Sequence, residues 1–527
     1  MGLGVLEDKC LDKVPGTALL SELGIIVIGE AANLKRGTGR HSHVILVPQP
    51  SDDPNDPLNW PRWKKEACFW TLYAHQSSSR STLDVNSSVF MASLDGALSP
   101  MVGPGYVLLA EQFGVSVDVV ASSFGTILLG LGSFMMFQNV FATKFGHRIV
   151  YLISVFLMFI SCVWCALSPN LASVRASRLF QGFGMSSLQS LVASTIEQMY
   201  FVHERGSRTV IWSFAIMSGI TLYVVQNLSW QMGFWLVTIP FGISSVLTFF
   251  FVHETSYIRE VTVNSASNET EKQAIEDVES SQEARIPAQR SFVSGLQLYH
   301  GTFTKTNIIK IFLRPFPFLI SPVTWFLFLV LGMQTVWLSL MPICSATIFT
   351  IEYDFDATEI GLTNLGGFVA VVLAVCTGGP LTDWGTVWMS KRNKGMYEPE
   401  FRIVFLTTML FGVFGYAGWA VGTTKNMPWT GAVLCLAMPN YCMVISGSAA
   451  ITYLLDTHGD DALHVLAIVN FAKNMVLYGF TFFANGFIES RGVKDALLIL
   501  SGLQAACWAS TIPMYIFGKR VRSWWRP

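Results

Sequence analysis

Charge is what this chain lacks most. Only 13% of its 527 residues are Asp, Glu, Lys or Arg, where soluble domains carry about 25%. That shortage excludes an ordinary soluble protein of this length, which would spread roughly twice the solvating groups over two or more domains. The net charge of −1 carries no nucleic-acid signal, and no basic tract supplies one. No G-x-x-x-x-G-K-[ST] loop occurs, so a P-loop ATP-driven pump is excluded. No HExxH occurs and the nine His are scattered, so no metal site, cofactor site or membrane-enzyme centre is expected. The nine Cys lie scattered, mostly in apolar segments. Cys162 and Cys165 have CxxC spacing, but without a second matching pair they read as packing. Glu7, Asp8, Lys9 and Lys13 interrupt the first twenty residues, so no secretory leader is read there.

What the chain does have is apolar sequence: 51% hydrophobic residues, with 39 Phe and 16 Trp. These fall in blocks of about 20 residues, the length that crosses about 30 Å of hydrocarbon as a helix. Lipid-exposed backbone must satisfy its own hydrogen bonds, so helices are the default. The expected class is an all-α polytopic membrane protein.

Residues 1–65 read as a polar tail. Spans are expected near 117–138, 149–167, 171–199, 209–226, 231–251, 317–345, 358–380, 402–422, 429–454, 463–486 and 496–517. One more, beginning at Glu66, brings the total to about twelve. Residues 253–316 enclose an acidic, aromatic-poor stretch that reads as a solvated linker. The plan is therefore a six-helix half over 66–252, the linker, a second half over 317–518 and a basic tail over 519–527, an arrangement common in transporters. Basic residues gather at alternate connections: Lys64 and Lys65, Lys144 and Arg148, Arg205 and Arg208, then Lys391, Arg392 and Lys394. By the positive-inside rule this places both termini in the cytosol. The sequon at Asn268 would then escape glycosylation.

Several short motifs fall at consistent places in this count. "RLFQGFG" in the 171–199 span holds Arg178, Gln181, Gly182 and Gly184. "GGPLTDW" follows the 358–380 span with Asp383 as its acid. "ATKFGHR" follows the 117–138 span with Lys144, Gly146 and Arg148, but has Thr143 where an acid is usual. From about Asn59 onward the chain resembles the major facilitator superfamily, in particular its fungal drug/proton antiporter-like branch. The resemblance implies two six-helix halves and alternating access. It implies a small organic substrate, a proton gradient in place of a cofactor, and a monomer in the plasma membrane, with the vacuolar membrane as the alternative. It also implies that Asp383 binds the end of a neighbouring helix and holds the inner gate closed, and that the missing acid at Thr143 removes that latch from the first half.

Residue chemistry supports the match. An Arg inside a span is costly, so Arg178 should face the bundle interior and pair there. Gly182 and Gly184 should allow close approach of a neighbouring helix. In the 463–486 span Asn470, Lys473 and Asn474 recur at three- and four-residue spacing on one face. Lys473 suits an acidic or carbonyl-bearing substrate, stabilisation of a neighbouring carboxylate, or structural bonding to helix ends. Gln334 and Trp337 suit a cavity for planar organic molecules, although Trp is also a general membrane anchor. Gln138 and Asn139 close the 117–138 span and serve as gate residues or caps. Asp95, the acid well inside the first apolar region, is the coupling candidate, with a tolerated loop-proximal acid as the alternative. Glu197 and Asp456 sit near span ends where water is expected.

Two stretches depart from the pattern. The Ser-rich residues 76–88 interrupt the first span and read as an insertion, with Asn86 in a sequon of little meaning, or as a genuine loop with the first span displaced. The 209–226 span is short, and "MSGITLYVVQNLSW" lacks the Gly/Pro-rich motif usual in antiporters. The expected function is proton-coupled efflux of a drug or secondary metabolite. The alternatives are an uptake permease for a nutrient or polyamine-type solute, or a transport-impaired copy.

Overall fold

The computed structural model describes residues 106–201, 230–256 and 301–524 (Lys305 and Asp356 excepted), much of 51–65, and isolated residues elsewhere. The stretch 76–88, Asn86, Asp95, Asn268 and the 209–226 span, save Thr209, lie outside the described residues. So does the side chain of Glu197.

The first group of helices is α1 (Val117–Phe145), α2 (His147–Ala166), α3 (Leu171–Met199) and α4 (Trp230–Phe251). The second begins with α5 (Pro322–Leu327), a π-helical turn (Phe328–Met333) and α6 (Gln334–Tyr353). It continues with α7 (Ala357–Arg392), then a 3-10 stretch (Pro399–Thr408) leading into α8 (Met409–Thr423). Next come α9 (Trp429–His458), α10 (Ala462–Phe480) and the short α11 (Ala484–Arg491). α12 (Val493–Ala509) and α13 (Thr511–Trp524) complete it. Two-residue strands β1 (Ala18–Leu19) and β2 (Met396–Tyr397) pair antiparallel.

The ten expected spans that fall on described residues are largely helical, but 317–345, 463–486 and 496–517 are interrupted at Ser321, at residues 481–483 and at Ser510. Among the described residues nine helical segments are long and apolar enough to cross a membrane. α3 is absent from that set although it runs 29 residues, because Arg175, Arg178 and its Ser and Gln residues dilute its apolar content. Its polarity is accommodated inward: Ser177, Arg178, Gln181, Ser186, Ser187 and Ser190 are all fully buried. The outer faces are the reverse. Ile153, Phe156, Ile239 and Ile243 are more than half exposed, as helices solvated by lipid require.

Local chemistry sets the corners. Asn170 caps α3, its Oδ1 accepting from the Ser173 N–H at 2.9 Å, and Pro322 opens α5 at a position where its missing N–H costs nothing. α1 and α2 are separated by Gly146 alone, at φ +96°, a conformation that favours glycine. The connection "ATKFGHR" is thus a helix–glycine–helix corner rather than a loop.

Within the first group, α1 crosses α3 at a pair of glycines. A Cβ on Gly182 would overlap the Ile127 carbonyl, and one on Gly130 would overlap the Leu179 carbonyl. Gly184 faces another neighbour, with Met158 and the Ser154 carbonyl of α2 against it. One short motif therefore seats α3 against two helices at once. In the second group α9 packs on α7 and α8, and α8 on α12. The two groups meet chiefly along α1 and α10.

Candidate functional site

The seam between the groups is lined by polar side chains. From the first group, Gln138 Nε2 donates to Ser190 Oγ at 3.0 Å, Ser186 Oγ donates to Gln138 Oε1, and Ser190 Oγ donates to Asn139 Oδ1 at 3.1 Å. Asn139 Nδ2 reaches across to the Leu463 carbonyl of α10 at 3.4 Å. The expectation that Gln138 and Asn139 cap a helix end is corrected here. α1 runs on to Phe145, so both lie inside the helix and link it to α3 and α10.

α10 supplies the matching face. Asn470, Lys473 and Asn474 are all buried. Asn474 lies against Gly132 of α1, and the Lys473 Cβ lies against Gly332 in the π-helical turn. The polar face of α10 thus sits between one helix of the first group and the irregular turn of the second. Gln334, which begins α6, donates to Cys442 Sγ at 3.1 Å and accepts from Ser446 Oγ at 2.8 Å. Trp337 meets Phe480 edge-on at 5.6 Å. Two buried donors near this seam, Asn474 Nδ2 and Trp337 Nε1, make no hydrogen bond among the described residues. Buried polar groups are normally satisfied, so such orphans call for a partner.

Arg178 is placed differently from Lys473. Its guanidinium lies between the rings of Phe124 and Phe234, 5.2 Å from each centroid, and Nη1 donates to Gln181 Oε1 at 3.0 Å. Gln181 in turn donates to the Ser161 carbonyl at 3.2 Å. Arg178 is interior, as its charge demands, and it holds α1, α2, α3 and α4 of one group together.

The end of the bundle that gathers the basic residues holds two ionic clusters. In the first, Asp456 at the end of α9 accepts from Tyr397 Oη at 2.5 Å and from Arg402 Nε at 2.6 Å. Arg205, from the first half of the chain, lies 3.5 Å from its other oxygen. Asp456 is 2% exposed, which corrects the expectation that water reaches it. Burial pushes the Tyr397 phenol well above its ordinary pKa, so it stays protonated and donates. Asp383 lies close enough to act on the Arg402 guanidinium. It sits within α7, which continues through Pro380 to Arg392, and not in a loop after it. In the second cluster Arg522 grips Glu400 through Nε at 2.9 Å and Nη2 at 2.7 Å, and Lys519 pairs with Glu398 at 2.6 Å.

A carboxylate reaches the α1–α2 corner from elsewhere in the chain. Glu254, just after α4, accepts from the His147 and Arg148 N–H groups at 2.9 and 3.2 Å. It thus supplies negative charge to the positive end of the α2 dipole. A Cβ on Gly146 would overlap this carboxylate. Arg148 Nη2 donates to the Phe249 carbonyl at 2.9 Å. Lys144 contributes its carbonyl, which accepts from the Phe303 N–H at 3.0 Å. Glu254, Glu398, Glu400, Arg402 and Arg522 escaped the sequence reading. The available signal was charged residues immediately flanking apolar runs.

Comparison with known proteins agrees with this geometry. The family model described as Major Facilitator Superfamily matches residues 87–475. Protein HOL1 of Saccharomyces cerevisiae is 24% identical, covering 97% of this chain and 96% of that one. MFS antiporter QDR3 of Candida albicans is 32% identical over 32% of this chain and 25% of its own length. Among solved structures, the proton:xylose symporter XylE superposes with a TM-score of 0.57 at 14% identity, covering 89% of this chain and 100% of that one.

Proposed function

Because this chain belongs to the major facilitator superfamily and is a multi-pass secondary transporter, not an enzyme, we propose that it exports a planar organic molecule against a proton gradient. The substrate would present hydrogen-bond acceptors to the face of α10. The observation that carries this reading is the seam itself: Asn470, Lys473 and Asn474 lie buried where the two groups of helices meet, with the Asn474 amide and Trp337 indole left as unused donors. An acceptor-bearing substrate satisfies such donors. Polar contacts in low dielectric are strong when made and costly when missing, which favours selectivity for a ligand of matching pattern.

The basic end is the cytosolic end in this reading. Arg205–Asp456 and Asn139–Leu463 join the two groups there, so both ties break each time the site opens to the cytosol. Arg402 holds the 3-10 stretch that leads into α8 against Asp456 of α9 and sets where the gate closes, with Asp383 of α7 as its motif acid. Arg178 acts as the internal clamp of the first group, keeping α3 rigid while the groups rock.

Antiport finds support in a relative whose name states an antiporter. Purified protein in vesicles with an imposed pH gradient, challenged with a panel of planar organic molecules, tests the reading. Uptake driven by proton efflux, abolished when the gradient collapses, is expected. Counterflow without any proton dependence would replace export by facilitated permeation. Arg178→Ala should abolish flux while protein remains in the membrane. Lys473→Ala should shift the substrate dose curve, and an unchanged curve across the panel would return Lys473 to a structural role.

A further inference from the structure

We propose that the far end of α7 binds the headgroup of an anionic phospholipid, through Trp384, Trp388, Lys391, Arg392 and Lys394. The helix is too long for its membrane. Its 36 residues extend about 54 Å at 1.5 Å per residue, against about 30 Å of hydrocarbon and about 40–45 Å with both headgroup layers. Glu359 in the first turn sets the opposite boundary, since a carboxylate is costly in hydrocarbon. Roughly 20 residues on, the hydrocarbon ends near Pro380. Trp384 and Trp388 then fall in the headgroup layer, with the three cations at its outer edge.

The lipid-facing side of α7 leads directly to this place. Leu362, Leu365, Val369 and Leu373 follow one another at three- and four-residue steps and are each more than half exposed. Leu381, Trp384 and Trp388 continue the same stripe, at 42%, 65% and 41% exposure. What covers the apolar part of the stripe is bilayer, so the same bilayer's headgroups cover its end. Trp is the side chain suited to that boundary, apolar in body with one donor.

The end of the stripe is also preorganised. The Trp384 and Trp388 rings stack at 6.1 Å with 22° between planes. The Arg392 guanidinium lies 4.0 Å from the Trp388 ring centroid, which fixes a donor fork above an apolar platform. Lys391 and Lys394 are exposed, and among the described residues neither forms an ion pair. The nearby acids are engaged elsewhere: Glu398 and Glu400 with Lys519 and Arg522, and Asp456 with Arg402 and Arg205. Among the described residues, three positive charges are therefore left for a phosphodiester from outside the chain.

The test is native mass spectrometry of the full-length protein in detergent, titrated with phosphatidylserine or phosphatidylcholine of equal chain length. Phosphatidylserine should bind more tightly. The triple variant Lys391→Gln, Arg392→Gln, Lys394→Gln should lose about fivefold per charge, on the order of a hundredfold in all. Because these residues are on the surface, the variant should elute as a monodisperse peak. Trp388→Leu, which keeps the apolar surface but removes the platform, should lose a smaller factor. Equal affinity for the two lipids, or unchanged phosphatidylserine binding by the triple variant, overturns the proposal. Displacement of phosphatidylserine by millimolar inorganic phosphate would also overturn it, showing a free-phosphate site instead.

Discussion

The basic ends of the two halves solve one problem in two ways. In the second half the motif acid Asp383 is present, and around it lie Asp456 with Arg402, Arg205 and Tyr397, then Glu398 and Glu400 with Lys519 and Arg522. In the first half Thr143 occupies the acid position, its hydroxyl donating to the Asn139 carbonyl within its own helix. The carboxylate that serves the corner comes from Glu254, about a hundred residues further on, and it binds backbone N–H groups instead of guanidinia. The second half is cross-linked by buried ion pairs. The first is capped. A buried pair broken by removing one partner strands a charge, which costs about 3–5 kcal/mol. A lost cap costs about 1 kcal/mol.

That contrast predicts an order of effects. Asp456→Asn strands Arg402 and loosens Arg205, and should lower stability by about 3–5 kcal/mol, read as the largest fall in thermal midpoint in detergent. It should also raise cysteine labelling from the basic end. Glu400→Gln leaves Glu398 to serve Arg522, so a loss of about 2 kcal/mol is expected for its charged hydrogen bonds. Glu254→Gln should cost about 1 kcal/mol. A midpoint below that of Asp456→Asn would invert the comparison. Thr143→Asp, at a partly exposed position, should stay within about 0.5 kcal/mol. A large gain there would show that Glu254 is an incomplete substitute.

Much of this architecture was legible from periodicity. α3 and α4 fall within a residue of the expected spans, because Asn170 caps the first and the apolar run from Trp230 marks the second. α1 and α7 run longer than expected. Lys144 and Asp383 suggest a loop, yet a helix can carry charged residues past the hydrocarbon at no cost, so composition alone marks the membrane boundary and not the helix end. The polar face of α10 was readable because Asn470, Lys473 and Asn474 share one helical face. The clusters around Asp456 and Glu400 were not. Their partners lie 54 to 251 residues away in sequence, and no local pattern reports a contact of that range. Trp384 and Trp388 carried no signal until the length of α7 placed them at the headgroups.

The central claim is that the two groups of helices part at the basic end during each transport cycle. Placing cysteines at Asn139 and Leu463, where the amide now reaches the carbonyl across the seam at 3.4 Å, in a chain freed of its native cysteines, tests it most directly. Oxidation should stop flux in vesicles and reductant should restore it. Undiminished flux through the fully oxidised protein would contradict the account.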